Sequence, residues 1–245
     1  MVKYDFWDDW KNKNSIEESA IEKVKSARKK VIAAIPQAAL VAIYIKGSFT
    51  RREMKEGSDV DMVPIVTEND YEGDVFSVNS PEIDPVCVVP LSLWELKNNQ
   101  LCTEGEHSPD LRAKPDRFLK KLSECKLIYG KALNVTEFLM REDKHALQDG
   151  IRVIREGYIR AFESRKIEFS PLLKEVFWLV ELEQNVRGIP VTHSFEGITQ
   201  SVRDKTHLVH EAFKFRMGVY KTDDEKKVFI AKLKRYLSEL EQLTK

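Results

Sequence analysis

Cysteine is scarce and unpatterned in this chain. Cys87, Cys102 and Cys125 are its three thiols, with no CxxC spacing and an odd count. That usage excludes a disulfide framework and a cysteine-built zinc site, and it fits a reducing compartment. Long apolar runs are missing as well. The longest stretch, residues 31–45, is broken by Pro36 and Gln37 and falls short of the roughly 20 apolar residues a membrane span needs. There is no surplus of either charge: 40 Lys and Arg balance 40 Asp and Glu. With no global field to draw in a polyanion, a nucleic-acid-coating role is not expected. Only 9 Pro and 10 Gly occur in 245 residues, which excludes collagen-like and disordered classes and leaves a globular chain of one large or two small domains. Near the N-terminus Lys3, Asp5, Asp8 and Asp9 lie among aromatics, without the apolar run of a secretory leader, so the expected location is the cytoplasm.

What is present divides into two halves. Ile16, Ala20, Val24, Ala27, Val31 and Ile35 recur at helical spacing after Ser15, with Glu17 and Glu18 in the first turn, and predict a helix ending at Pro36. Residues 40–45 form a short apolar, partly β-branched run that stops at Gly47-Ser48, as a buried strand entering a tight turn would. Further strands are predicted over 59–66 and 83–89, with a short one over 126–129. This half, residues 1–136, reads as a mixed α/β (α+β) unit with a small sheet. From 137 to 245 the period becomes 3.6. Leu147, Ile151, Ile154, Tyr158 and Phe162 form one stripe; Leu172, Val176, Leu179, Leu182 and Val186 form a second, halted by Gly188 and Pro190. Two more helices are predicted over 194–216 and 223–243, which together give an all-α helical bundle.

The chemistry-bearing stretch is Lys46-Gly47-Ser48-Phe49-Thr50-Arg51-Arg52, continuing to Gly57-Ser58-Asp59-Val60-Asp61-Met62-Val63. On a strand, residues i and i+2 share a face, so Asp59 and Asp61 project together while Val60 and Met62 enter the apolar side. Two adjacent carboxylates call for a cation, and hard oxygen donors suit Mg²⁺, which also binds triphosphates. Gly47 permits close approach of backbone to a phosphate, and Ser48 adds a hydroxyl and an N–H where a following helix would present its positive end.

These residues resemble the nucleotidyltransferases of the DNA polymerase β superfamily, whose signature is a strand, Gly-Ser, a short helix and an Asp-x-Asp strand. Gly47 to Arg51 is similar to the Gly-Ser-x-Ala-Arg form of small members, with Thr50 for Ala, and Arg52 departs from a frequent Gly. Leu127-Ile128-Tyr129-Gly130-Lys131 is similar to the Leu-Tyr-Gly-Lys close of antibiotic-modifying members. The resemblance implies nucleotide binding by Gly47, Ser48 and Arg51. It also implies a metal centre of two Mg²⁺ ions with bound NTP, held by Asp59, Asp61 and a third carboxylate from a neighbouring strand. Asp84 is the best match for that carboxylate and for the catalytic base; Glu82, of the same parity, is the alternative. The implied reaction moves a nucleoside monophosphate from an NTP, ATP foremost, to a hydroxyl of a small molecule. The plan resembles the aminoglycoside nucleotidyltransferases, with a catalytic domain first, a helical domain second and the acceptor bound between them. A nucleotidylating regulator acting on a protein target is the alternative.

Other features have plainer readings. His207 and His210, three apart on an expected helix, could share a metal, but no third ligand accompanies them. Arg203 and His210 formally fit the Arg-x6-His pattern of helical HEPN ribonucleases; an exposed helix face explains both as well. Tyr4, Phe6, Trp7 and Trp10 are expected to staple the N-terminal segment onto the body.

Overall fold

Asn14 sets the first helix by a reciprocal cap. Its side chain accepts the Glu17 N–H, and the Glu17 carboxylate accepts the Asn14 N–H, at 2.9 and 3.0 Å, which satisfies two of the orphan donors at a helix start. From there α1 (Ser15–Ala34) buries Ala20, Val24, Ala27 and Val31 as one stripe. It ends where Pro36 forces an extended residue before it. The computed structural model describes residues 4–102, 113–219 and 222–244.

Next, β1 (Leu40–Lys46) and β2 (Val60–Val66) pair antiparallel, with Lys46 opposite Asp61. After the short α2 (Glu72–Phe76), β3 (Val86–Val88) and β4 (Leu91–Ser92) each pair parallel with β2. Two further short helices, α3 (Leu93–Asn98) and α4 (Pro115–Lys120), precede β5 (Lys126–Gly130), which pairs antiparallel with β1. The mixed sheet runs β3-β2-β1-β5 with β4 beside β2. The third strand is shorter than the predicted 83–89, because Pro81–Ile83 forms a 3-10 turn and the ladder begins only at Val86. Pro64, an odd residue for a central strand, is accommodated by position. On that edge β2 pairs with β3 through Met62 and with β4 from Ile65, so the missing N–H falls in the gap between the two partners.

The sheet separates two apolar layers. Val60, Met62 and Val66 pack with Val24 and Val31 of α1 on one side; Val63 and Ile65 pack with Tyr44, Leu96 and Phe118 on the other. Asp61 shares the parity of Val63, so it lies at the end of this second face, and Asp59 directly precedes the strand.

The chain divides into two compact units, the first built from residues up to Cys102 together with Lys114–Met140, the second from Arg141 onward. In the second unit α5 (Asp143–Arg152) runs into a π turn (Val153–Tyr158) and α6 (Ile159–Glu163). The extra residue of that wide turn puts both Val153 and Ile154 in the core. They are followed by α7 (Phe169–Val186), α8 (Phe195–Ser201), α9 (Leu208–Arg216) and α10 (Asp223–Leu243). Leu172, Val176 and Phe177 of α7 meet Leu147 and Ile151 of α5, Val209 of α9 and Leu233 of α10 in one core. The single helix predicted over 194–216 is two. Asp204 accepts hydrogen bonds from the N–H and hydroxyl of Thr206, and His207 then caps α9, so the chain turns rather than continuing helical. No described helix is long and apolar enough to cross a membrane.

Candidate active site

Where β1 ends, the chain reverses through a tight turn rather than the short helix the resemblance implies. Gly47 takes φ +87°. The Ser48 carbonyl accepts the Glu53 N–H at 2.9 Å, the Phe49 carbonyl accepts the Arg52 N–H at 3.1 Å, and the Thr50 hydroxyl donates to the Gly47 carbonyl at 2.9 Å. A helix-terminal dipole is therefore not available here. The turn's own N–H groups and hydroxyls are what a phosphate would meet.

This turn is held from behind. Phe49 is fully buried, with its ring 5.2 Å from Trp10, 5.9 Å from Phe6 and 6.1 Å from Trp7. Arg52 adopts φ 60°, the left-handed conformation that a glycine would take without strain. Its guanidinium grips the Glu17 carboxylate in a two-pronged contact at 2.8 and 2.9 Å. It also donates to the carbonyls of Lys11 and Asn12 and lies over the Trp10 ring. The departure at Arg52 thus keeps the turn and ties it to α1 and the N-terminal segment. Arg52 beside Glu17 holds that carboxyl below the usual carboxylate range. The aromatic N-terminus does staple the body, and what it staples is the Gly47–Ser48 turn.

Opposite the turn stands Asp61. Lys46, its partner across the β1/β2 ladder, brings Nζ to 3.3 Å from Asp61 Oδ2. A Cβ on Gly47 would lie 3.1 Å from the same oxygen, so the glycine is what lets the backbone sit against the carboxylate. Asp59 is exposed immediately before β2. The Val60 N–H donates to the Pro85 carbonyl at 2.9 Å, which places the turn carrying Asp84 beside Asp59. Asp84 itself, predicted on the neighbouring strand, is instead exposed in that turn; the strand residue level with Asp61 is Cys87. Glu82 is drawn the other way: its carboxylate pairs with Lys30 of α1, and Lys23 donates to its carbonyl. Glu82 therefore faces α1 in this structure, away from Asp61. Arg51 is exposed and pairs with Glu53 at 2.8 Å.

Among the described residues, one group holds three metal-competent ligand atoms within 4.8 Å of one another, and it comprises Glu72, Glu95 and Cys102 instead of the three aspartates. Sequence reasoning missed it because the three are scattered over 31 positions on a helix, a helix and a loop. It serves as a polar junction: Glu95 Oε1 accepts the Cys102 N–H at 2.8 Å while Glu95 also caps α3. Burial and the two nearby carboxylates push the Cys102 thiol up to about 11. The histidines separate as well. His207 Nδ1 accepts the Val209 N–H, which leaves the proton on Nε2, 3.4 Å from Glu183 Oε2 as a nitrogen–oxygen distance, whereas His210 Nε2 faces the Val202 carbonyl. They share no site. Arg203 lies in the loop before α9 and does not join His210 on one helix.

No family model matches the chain, and no curated protein matches it at a significant level. Solved structures do. The spectinomycin adenyltransferase AAD(9) from Enterococcus faecialis, crystallised with ATP and spectinomycin, matches with a TM-score of 0.54 at 15% identity, over 92% of this chain and 100% of that one. A toxin-antitoxin structure with AMP-PNP matches with a TM-score of 0.27 at 14% identity, over 61% of this chain and 93% of that one. The first likeness is one of fold: a small mixed sheet followed by helices, the architecture described above.

Proposed function

We propose that this chain is a nucleotidyltransferase that moves a nucleoside monophosphate from an NTP, with ATP the foremost candidate, to a hydroxyl of a small molecule. The observation that carries this reading is the seating of the Gly47–Ser48 turn against Asp61 at the end of β1 and β2, with the Gly47 Cα within a methyl's reach of a carboxylate oxygen. A phosphate-approaching backbone and an acidic cation site are thereby adjacent. The likeness to AAD(9), whose structure holds ATP and spectinomycin, supports the same choice of donor and acceptor class.

The donor set fits a hard divalent cation. Asp61 on β2 and Asp59 directly before it offer carboxylate oxygens, and the lysine ammonium beside Asp61 marks the place where positive charge is wanted. When bound at Asp59 and Asp61, two Mg²⁺ ions would supply Lewis-acid charge for the phosphates and for the attacking oxygen. The chain's own groups do the rest. The Gly47–Ser48 backbone and the Ser48 hydroxyl hold phosphate oxygens. Arg51 leaves Glu53 for the triphosphate, which is inexpensive because an exposed ion pair is worth at most about 1 kcal/mol. Asp84, beside Asp59, accepts the acceptor's proton. The hydroxyl oxygen bonds to the α-phosphorus, the bond from that phosphorus to the bridging oxygen breaks, and pyrophosphate leaves with the electron pair.

A panel of small hydroxylated acceptors with ATP and Mg²⁺, read by pyrophosphate release, tests the reading. Asp59→Ala and Asp61→Ala should each abolish release while changing metal-free stability by no more than about 1 kcal/mol, since Asp59 is exposed and the Lys46–Asp61 pair is half-exposed. A wild-type rate in either variant would falsify the assignment.

A further inference from the structure

Lys46 was no part of the nucleotide-binding pattern, yet it is the residue that contacts Asp61. Three observations define its position. The β1/β2 register sets Lys46 directly opposite Asp61. Its Nζ lies 3.3 Å from Asp61 Oδ2, with side chains 43% and 35% exposed, so the pair is open enough to exchange partners. And the next residue, Gly47, brings backbone to the same oxygen, where a Cβ would stand at 3.1 Å. An ammonium and a divalent cation cannot both occupy that oxygen without like-charge repulsion at contact distance.

Resting on the reading of Asp59 and Asp61 as cation ligands, we propose that Lys46 is the resident counter-ion of the site. Its ammonium neutralises Asp61 until a divalent cation displaces it, so that Lys46 sets how tightly the free protein holds that cation. Its role is to position charge, without reacting itself. It keeps the two aspartates from repelling each other in the empty state and weakens metal capture in the absence of nucleotide. The cost of displacement is small because the pair is half-exposed, and the ammonium is released beside the Gly47–Ser48 turn.

Mn²⁺ titrated into the full chain without nucleotide, with the free ion followed by electron paramagnetic resonance, tests this. Lys46→Gln should bind Mn²⁺ more tightly than wild type by up to about fivefold, the equivalent of one exposed ion pair. Lys46→Arg, which keeps the charge, should match wild type, and adding Asp61→Asn to Lys46→Gln should remove the gain. In parallel, Mn²⁺ should raise the thermal midpoint of Lys46→Gln more than that of wild type, a readout that needs no turnover. If Lys46→Gln binds Mn²⁺ no more tightly than wild type while Asp61→Asn weakens it, the role of Lys46 is wrong and the cation site stands. If Asp61→Asn leaves Mn²⁺ binding unchanged, or Lys46→Gln shows none, both readings fall.

Discussion

At the scale of single residues, two backbone positions with positive φ decide what the nucleotide turn can be. Gly47 needs its missing Cβ twice over, once for φ +87° and once for the approach to Asp61. Gly47→Ala should therefore cost about 1 kcal/mol of stability from the strained backbone alone. It should also lower ATP affinity by more than tenfold, because the added methyl pushes the turn off the carboxylate. Calorimetric ATP titration beside thermal melts separates the two effects, and an unchanged affinity would place the triphosphate elsewhere. Arg52 shows the other solution to the same constraint: a side chain tolerates φ 60° when the Glu17 contact, two carbonyls and the Trp10 ring hold it. The place of Asp61 on the second face of the sheet was legible in the sequence because strand parity is local, whereas Asp59, predicted on the same strand, falls just before it. The pairing of Asp61 with Lys46 was not, since it depends on the register between two strands joined by a 13-residue turn.

At the scale of elements, the N-terminal segment and the turn form one mechanical piece. Phe49 has no exposure and meets three aromatic rings, so Phe49→Ala should cost about 3–5 kcal/mol. Phe49→Leu, which retains most of the volume, should cost less than half of that while still weakening ATP binding, because the turn loses its fixed backing. Urea unfolding and ATP calorimetry on both variants check this; equal ATP affinity in Phe49→Leu and wild type would show that the backing supports stability alone. A comparable junction lies in the helical unit, where Tyr236 donates to the buried Glu183 carboxylate and Arg187 reaches it from one turn along α7. Tyr236→Phe should cost about 1.5–3 kcal/mol, the worth of a hydrogen bond to a charged group. The helical stripes of α1 and α7 could be read from periodicity, because their burial follows the 3.6-residue repeat. The break between α8 and α9 was also written in the sequence, as Asp204-x-Thr206 ahead of a capping histidine, a turn signal weaker than Gly or Pro. The late start of β3 followed from Pro81 and Pro85, and with it went the placement of Asp84 on a strand.

For the whole molecule, balanced charge leaves specific carboxylates to govern the response to acid. Glu17, in the first unit, is held below the usual carboxylate range by Arg52. Glu183, in the second, would be raised by burial, but the neighbouring His207, Tyr236 and Arg187 outweigh that and leave it lowered. Groups with depressed folded-state pKa values contribute stability that is complete above the unfolded pKa and is lost as pH falls through the folded one, because the unfolded chain takes up protons first. Thermal midpoints should therefore be level from neutrality down to about pH 5 and fall steeply below it, the carboxylates being neutralised earlier in the unfolded state. Because one such carboxylate sits in each unit, neither unit escapes. Glu17→Gln combined with Glu183→Gln should melt lower than wild type at neutral pH yet lose less on acidification, so the two curves converge as pH falls. Calorimetric scans of both proteins across that range decide it, and parallel curves would assign the acid sensitivity to other groups.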